Sequence, residues 1–261
     1  EALERFARLL ERYEPREVEE VSRLWAQEVP CEQTGYRELL AELPAVLAAF
    51  FALSPNAVEL IREHVLRTVH GMAGFVARMD GGELRLRDIP DLQVYCYVVA
   101  GIVGELLTEL FLRERPGLAP AAGRLRERAR SFGEGLQLVN ILKDSASDAV
   151  QGRIYLPEGV ERTEVLALAR RNLETAAEYV HTLQEAGAER GVVAFTALPV
   201  RLAHATLDRV EASGPGSKLT RHEVYAILQR LHQALDRNEP ALSSVSGGSA
   251  AEPGVPFVPG L

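Results

Sequence analysis

From Ala2 to Leu235 the apolar residues return at steps of three and four, and no stretch alternates apolar with polar. That period is helical, and helices with one apolar stripe must bury it against one another. The chain is therefore expected to be an all-α bundle. Leu3, Phe6, Leu9 and Leu10 share one face over residues 2–13, and Pro15 opens a second helix with Val18, Val21, Leu24 and Trp25 as its stripe. Residues 36–53 read as helix interrupted at Pro44, and Ser54 is the N-cap signal for residues 57–78. Asp80-Gly81-Gly82 is a turn and residues 85–90 a connector, followed by a helix over 91–113 and a break at Pro116–Pro120. Helices over 162–184, 191–207 (kinked at Pro199) and from Arg221 to about Leu235 complete a domain over residues 1–240. The Ser/Gly/Pro-rich residues 241–261 read as a disordered tail.

Within this pattern residues 132–148 stand apart. Gln137, Asn140, Asp144 and Asp148 lie at offsets of 0, 3, 7 and 11, which on a helix fall in a sector roughly 80° wide. Leu136, Leu138, Val139, Ile141 and Leu142 point most other ways, so the helix is apolar nearly all round and reads as buried. Buried carboxylates need a cation or a wet cavity, and two of them one turn apart suit a hard divalent ion that takes oxygen ligands. The competing reading is a solvated helix end stopped by Gly152.

The helix over 91–113 carries Ala100, Gly101 and Gly104, a face without bulk. Each glycine costs about 1 kcal/mol of helix propensity, so the face serves either close helix packing or room for a ligand. Tyr95 is placed near it, with its phenol reaching the same space. Glu105 and Glu109 read as a solvated or salt-bridged face, His64 and His70 as structural or exposed, and Arg124, Arg126, Arg128 and Arg130 as offsetting nearby acids or facing water. Composition excludes some classes. A net charge of −8 argues against a nucleic-acid surface. Cys31 and Cys96 give no disulfide framework and no zinc spacing, which fits a reducing cytosol, and Cys96 reads as a core residue. The apolar run 94–103 is too short for a membrane span before Glu105, so no transmembrane segment is expected. The start at Glu1 reads as mid-protein.

Gln137-Leu-Val-Asn140-Ile-Leu-Lys143-Asp144 with Asp148 and Gly152-Arg153-Ile-Tyr-Leu-Pro157 resembles the second aspartate-rich motif of squalene/phytoene synthases. Tyr95-Cys-Tyr-Val-Val-Ala-Gly101-Ile-Val-Gly104 is similar to that family's tyrosine motif, His70–Phe75 to the segment before it, and Phe195–Pro199 to a later helix. The resemblance implies an isoprenoid synthase bundle around a central cavity and a head-to-head condensation of two prenyl diphosphates through a cyclopropyl diphosphate. It implies Mg²⁺ held by Asp144 and Asp148, with Tyr95 near the carbocation. Gln137, Asn140, Lys143 and Arg153 are implied at the diphosphate, and Gly101 and Gly104 beside the substrate. Gly71–Phe75 and Leu107–Phe111 look closer to the squalene branch, which acts on farnesyl diphosphate with NADPH, than to the phytoene branch, which acts on geranylgeranyl diphosphate. The implied setting is cytoplasmic, with peripheral membrane contact for product release. There are two departures. No earlier DxxxD is present among Glu14, Glu17, Glu19 and Glu20, and Lys143 stands where the family more often has Arg. The first keeps a second reading open: a non-catalytic relative acting as an assembly or lipid-binding factor.

Overall fold

The computed structural model describes residues 1–28 and 34–242. The expectations for Cys31 and the tail from Ser243 lie outside those residues. Helices follow the apolar period: α1 (Ala2–Glu11), α2 (Pro15–Glu28), α3 (Thr34–Ala41), α4 (Leu43–Phe51) and α5 (Pro55–Val76). Then come β1 (Leu84–Arg85), α6 (Ile89–Cys96), a π-helical turn (Tyr97–Gly101) and α7 (Ile102–Glu114). A 3₁₀ segment (Pro116–Ala121) leads to α8 (Ala122–Val150), β2 (Arg153–Ile154), α9 (Arg162–Glu185), α10 (Arg190–Ser213) and α11 (Arg221–Asp236). The starts have local causes. The Ser54 hydroxyl accepts from Ala57 N, the Asp88 carboxylate accepts from Asp91 N at 2.8 Å, and Thr220 with Glu223 forms a capping box. Pro199 is accommodated inside α10, and the folded part runs past residue 240: Ala241 and Leu242 are buried.

α8 is the spine, packed against α7, α9 and α10. On one side Leu138, Val139, Ile141 and Leu142 join Phe75, Leu92, Tyr95 and Leu173 in a core. Further toward its N-terminus Leu125, Ala129 and Phe132 join Tyr179, Leu183, Val193 and Val200. A third cluster links α1, α2 and α4 through Leu9, Leu10, Val18, Val21, Leu43 and Leu47. Full burial of each such Leu stabilises by about 1.5–3 kcal/mol.

The tyrosine helix departs from a plain helix at residues 97–101, where the backbone widens into the π-turn. α5 supports it: Thr68 Oγ1 donates to the Val98 carbonyl at 3.1 Å, and a Cβ on Gly71 would lie 2.7 Å from the Val98 methyls. The connector expected at 85–90 is shortened at both ends, by β1, which pairs parallel with β2, and by α6 from Ile89. The strand pair forms because Gly152, at φ +73°, turns the chain after α8 back beside Gly82. By length and composition Ile89–Glu114 is apolar enough to cross a membrane, unlike the shorter run expected. Here it packs on α5 and α8, and its acids Asp91, Glu105 and Glu109 pair with Arg78, Arg67 and Arg126.

Candidate functional site

All four stripe residues lie on α8, as their spacing predicts. Asn140 is exposed; Gln137, Asp144 and Asp148 are half-buried. The Lys143 ammonium lies 3.0 Å from Asp144, and the Lys143 carbonyl accepts from Gly216 N at 2.7 Å, tying the loop after α10 to this turn of α8. Burial raises the Asp148 carboxyl above its ordinary range, the charge of Asp144 adds to this, and Arg153 and Lys143 pull it back. Two half-desolvated carboxylates thus repel one another between two cations.

Arg153 is exposed on β2, the strand that Gly152 turns back from α8. One residue beyond the strand, Tyr155 stacks on Tyr95 with ring centroids 4.7 Å apart. Phe75 meets Tyr95 edge-on at 5.2 Å, and Arg78 lies over Phe75 while bonding both Asp91 oxygens, at 2.7 and 2.8 Å. Burial, and then the Tyr155 hydroxyl, push the Tyr95 phenol well above its usual range, while Arg153 acts in the opposite sense. The stacking of Tyr155 on Tyr95 thus packs the chain that returns from the acidic end of α8 against the tyrosine helix. Tyr155 was quoted in the sequence motif without a role, and only the fold shows it packed on Tyr95.

For the glycine face the packing reading holds, and the place beside the substrate that the resemblance implied for Gly101 and Gly104 does not. A Cβ at Gly101 would meet Tyr97 Cδ2 at 2.7 Å, Glu134 Cγ at 3.4 Å and Arg130 Cγ at 3.5 Å. A Cβ at Gly104 would lie 2.0 Å from the Ala129 carbonyl oxygen. Protein fills both places, so these glycines serve helix packing instead of making room for substrate. The tyrosine beside Gly101 is Tyr97, not Tyr95. Four residues apart on a helix lie about 40° apart in azimuth, whereas six lie about 120° apart.

Sequence reasoning also missed Glu134. It is only 4% exposed, with Oε1 accepting from Arg130 Nε at 2.6 Å, and burial raises its carboxyl despite Arg130. Arg130 lies 4.6 Å over the Tyr97 ring, and Arg67 bonds both the Tyr97 hydroxyl and, at 2.6 Å, Glu105. The other arginines leading into α8 also pair: Arg124 with Glu185, Arg126 with Glu109, and Arg128 with Glu178. Cys96 is a buried free thiol that burial pushes up, and His64 is buried with Nδ1 donating to the Leu60 carbonyl.

As a cation site, Asp144 and Asp148 supply two hard oxygen donors one turn apart, and their mutual repulsion is what a divalent ion would relieve. Among the described residues no group of three Asp, Glu, His or Cys side chains is placed to enclose a metal. The pair thus fits Mg²⁺, which binds through one or two carboxylates and completes its shell with water and phosphate oxygens.

An all-α bundle with an acid-striped spine facing a tyrosine helix defines a class, and comparison with known proteins gives the family. The squalene/phytoene synthase family model matches residues 2–163, and the chain belongs to that family. The squalene synthase of Cyberlindnera jadinii is 31% identical over 124 residues, covering 48% of this chain and 28% of that protein. A probable squalene synthase of Neurospora crassa is 28% identical over 197 residues, covering 67% of this chain and 40% of that protein. The chain thus spans less than half the length of these curated relatives. A solved complex of TcSQS with the ligand E5700 superposes with a TM-score of 0.63 at 22% identity, over 87% of this chain and 76% of that one. The bundle is the isoprenoid synthase fold.

Proposed function

We propose that this chain carries the second-aspartate wall of an enzyme that joins two prenyl diphosphates head to head, with farnesyl diphosphate as substrate. The observation that carries the reading is the stacking of Tyr155 on Tyr95 at 4.7 Å, which packs the strand bearing Arg153, returned from the acidic end of α8, against the tyrosine helix. Arg153 would set a diphosphate-binding charge between a metal-binding pair and a buried phenol. Asp144 and Asp148 would hold Mg²⁺, which when bound neutralises diphosphate oxygens and favours their departure. Lys143 and Arg153 would bind the same oxygens, Arg153 with two parallel N–H donors. Gln137 and Asn140 would orient the diphosphate by hydrogen bonds from the same face. The C1–O bond of one farnesyl group breaks and its electron pair leaves with the diphosphate. The double bond of the second farnesyl attacks the allylic cation, and loss of one proton closes the cyclopropane. Tyr95 stays a neutral phenol and presents a π-face to the cation, stacked in place by Tyr155 and Phe75. The apolar surroundings keep water from the cation. In the squalene branch NADPH supplies the hydride for the second step.

The test is incubation of the protein with Mg²⁺ and farnesyl diphosphate, with and without NADPH. The expected products are squalene with NADPH and the cyclopropyl diphosphate without it. Asp144→Asn should lower the rate by about 10³-fold, the scale of losing one electrostatic stabiliser. No C30 product under any condition contradicts the reading and favours a non-catalytic relative. A C40 product from geranylgeranyl diphosphate alone places the chain in the phytoene branch.

A further inference from the structure

Below the stripe, toward the N-terminus of α8, four elements meet in a cluster that the proposed chemistry leaves unused. Tyr97 from the π-turn, Glu105 from α7, Arg67 from α5, and Arg130 and Glu134 from α8 interlock through the contacts described above. Tyr97, Glu134 and Arg130 converge on the one spot left open by Gly101. Beside them the α7 and α8 backbones touch. A Cβ at Gly133 would lie 2.0 Å from the Ala100 carbonyl oxygen, the counterpart of Gly104 against Ala129. Nothing can pass between the two helices at this level.

Beyond the cluster lies a cavity of about 440 Å³ lined by Leu60, Glu63, His64, Glu109, Arg126 and their neighbours. Its wall is charged, with Arg126 bonding Glu109 at 2.6 and 2.8 Å and Arg67 and Glu105 shared with the cluster. An apolar chain end gains little by entering such a space, because the ion pairs would lose solvent without gaining partners. Apolar side chains are left uncovered on two helices that pack against α8: Val103, about 200° around α7 from Glu105, is 45% exposed, and Phe195 on α10 is 58% exposed.

The cluster has a definite depth. Glu134 is ten residues from Asp144 and Arg130 fourteen, about 15 Å and 21 Å along the axis. On the helical wheel both lie within about 60° of Gln137, next to or inside the sector of the stripe. Carbon–carbon bonds of about 1.5 Å advance an extended chain by about 1.25 Å each, giving a farnesyl chain a reach of about 15 Å and a geranylgeranyl chain about 20 Å.

We infer that the Arg67–Tyr97–Glu105–Arg130–Glu134 cluster is the floor of the prenyl-binding face and selects fifteen-carbon over twenty-carbon chains. The inference rests on the proposed diphosphate site at Asp144 and Asp148. Tyr97 and Glu134 are the specificity-determining residues: the ring closes the space over Gly101, and the buried carboxylate keeps Arg130 across the ring. Arg67 and Glu105 hold the Tyr97 hydroxyl from below.

The experiment compares farnesyl with geranylgeranyl diphosphate as kcat/KM ratios for the wild type, Tyr97→Ala and Arg130→Ala. It also measures Mg²⁺-dependent calorimetric binding of the two unreactive thiolo-diphosphate analogues. The wild type should favour the fifteen-carbon substrate by at least about tenfold, the scale of discrimination by a few methylenes. Tyr97→Ala should move that ratio toward the longer chain by about tenfold or more. Arg130→Ala, which leaves the buried Glu134 without its partner and so destabilises the fold, should still move it the same way by less. A ratio does not depend on how much of the protein is folded, so lost stability alone leaves it unchanged. Equal use of both chains by the wild type, or unchanged ratios in both variants, overturns the inference. Binding of both analogues without preference sinks the floor and leaves the diphosphate site standing. Binding of neither sinks both.

Discussion

The two ends of α8 treat charge in opposite ways. At the N-terminal end every arginine from Arg124 to Arg130 has found a carboxylate, and the one buried acid, Glu134, is matched within 2.6 Å. At the C-terminal end Asp144 and Asp148 sit one turn apart, half-buried, with Asp148 held more basic than an ordinary carboxylate by burial and by its neighbour. Lys143 pairs with Asp144 there, yet the two acids stay close enough for Asp144 to raise Asp148, whereas the acids one helix-length away are matched by arginines. In the proposed function the repulsion that remains beside Lys143 and Arg153 is what a bound cation relieves, while the pairing at the other end holds the bundle shut.

The largest expected effect breaks the closed end. Gly133→Val puts a branched side chain where the Ala100 carbonyl oxygen already lies 2.0 Å from a Cβ. Both atoms belong to packed helix backbones and neither side can yield, so the cost should be at least about 4 kcal/mol. Thermal unfolding followed by circular dichroism should show a melting temperature lowered by well over ten degrees, or no folded protein.

Next comes the clamp behind Tyr95. Asp91, 5% exposed, accepts from both Arg78 and Arg87, and the first of these is the main reason its carboxyl is held well below the usual range. A depressed carboxylate contributes its full stability above its unfolded pKa and loses it as pH falls through the folded value. The melting temperature should therefore fall steadily with acidification below about pH 4, where an unfolded Asp begins to bind protons. Asp91→Asn should remove that acid dependence and cost about 2 kcal/mol at neutral pH, the scale of hydrogen bonds to a charged group, since Arg78 and Arg87 both keep solvent.

The open end should respond with the opposite sign and the smallest size. The Asp148 carboxyl is raised in the folded state, so at neutral pH it opposes folding, and that penalty disappears as pH falls through the raised value. Asp148→Asn should make the ligand-free protein slightly more stable, by about 0.3 kcal/mol, the size of a like-charge pair at this spacing. A melting temperature lowered by this substitution would show that the pair serves the fold.

Much of this contrast could be read in the chain. The 3.6-residue period gave the helices to within a few residues, and the offsets of Gln137, Asn140, Asp144 and Asp148 placed them together because a single helix carries all four. What escaped the sequence depends on partners distant along the chain. In the π-turn the Val98 carbonyl accepts from Thr68 Oγ1, and the Val98 side chain fits only against a glycine at position 71 of α5. Tyr155 reaches Tyr95 only because Gly152 can adopt a positive φ and return the chain beside β1. Glu134 drew no reading, since nothing local says that Gly101 and Gly133 let two backbones close around it. Gly101 and Gly104 were legible as a face without bulk that served either packing or a ligand, and only the partner helix decides for packing.

The most direct test of the contrast is calorimetric titration of an unreactive farnesyl thiolo-diphosphate into the protein, with and without Mg²⁺, against the Asp144→Asn/Asp148→Asn double variant. Binding that requires Mg²⁺ and disappears in the double variant, while its melting temperature is unchanged or higher, is the result expected of a ligand-directed end. Binding that survives without metal or without the two aspartates would contradict it.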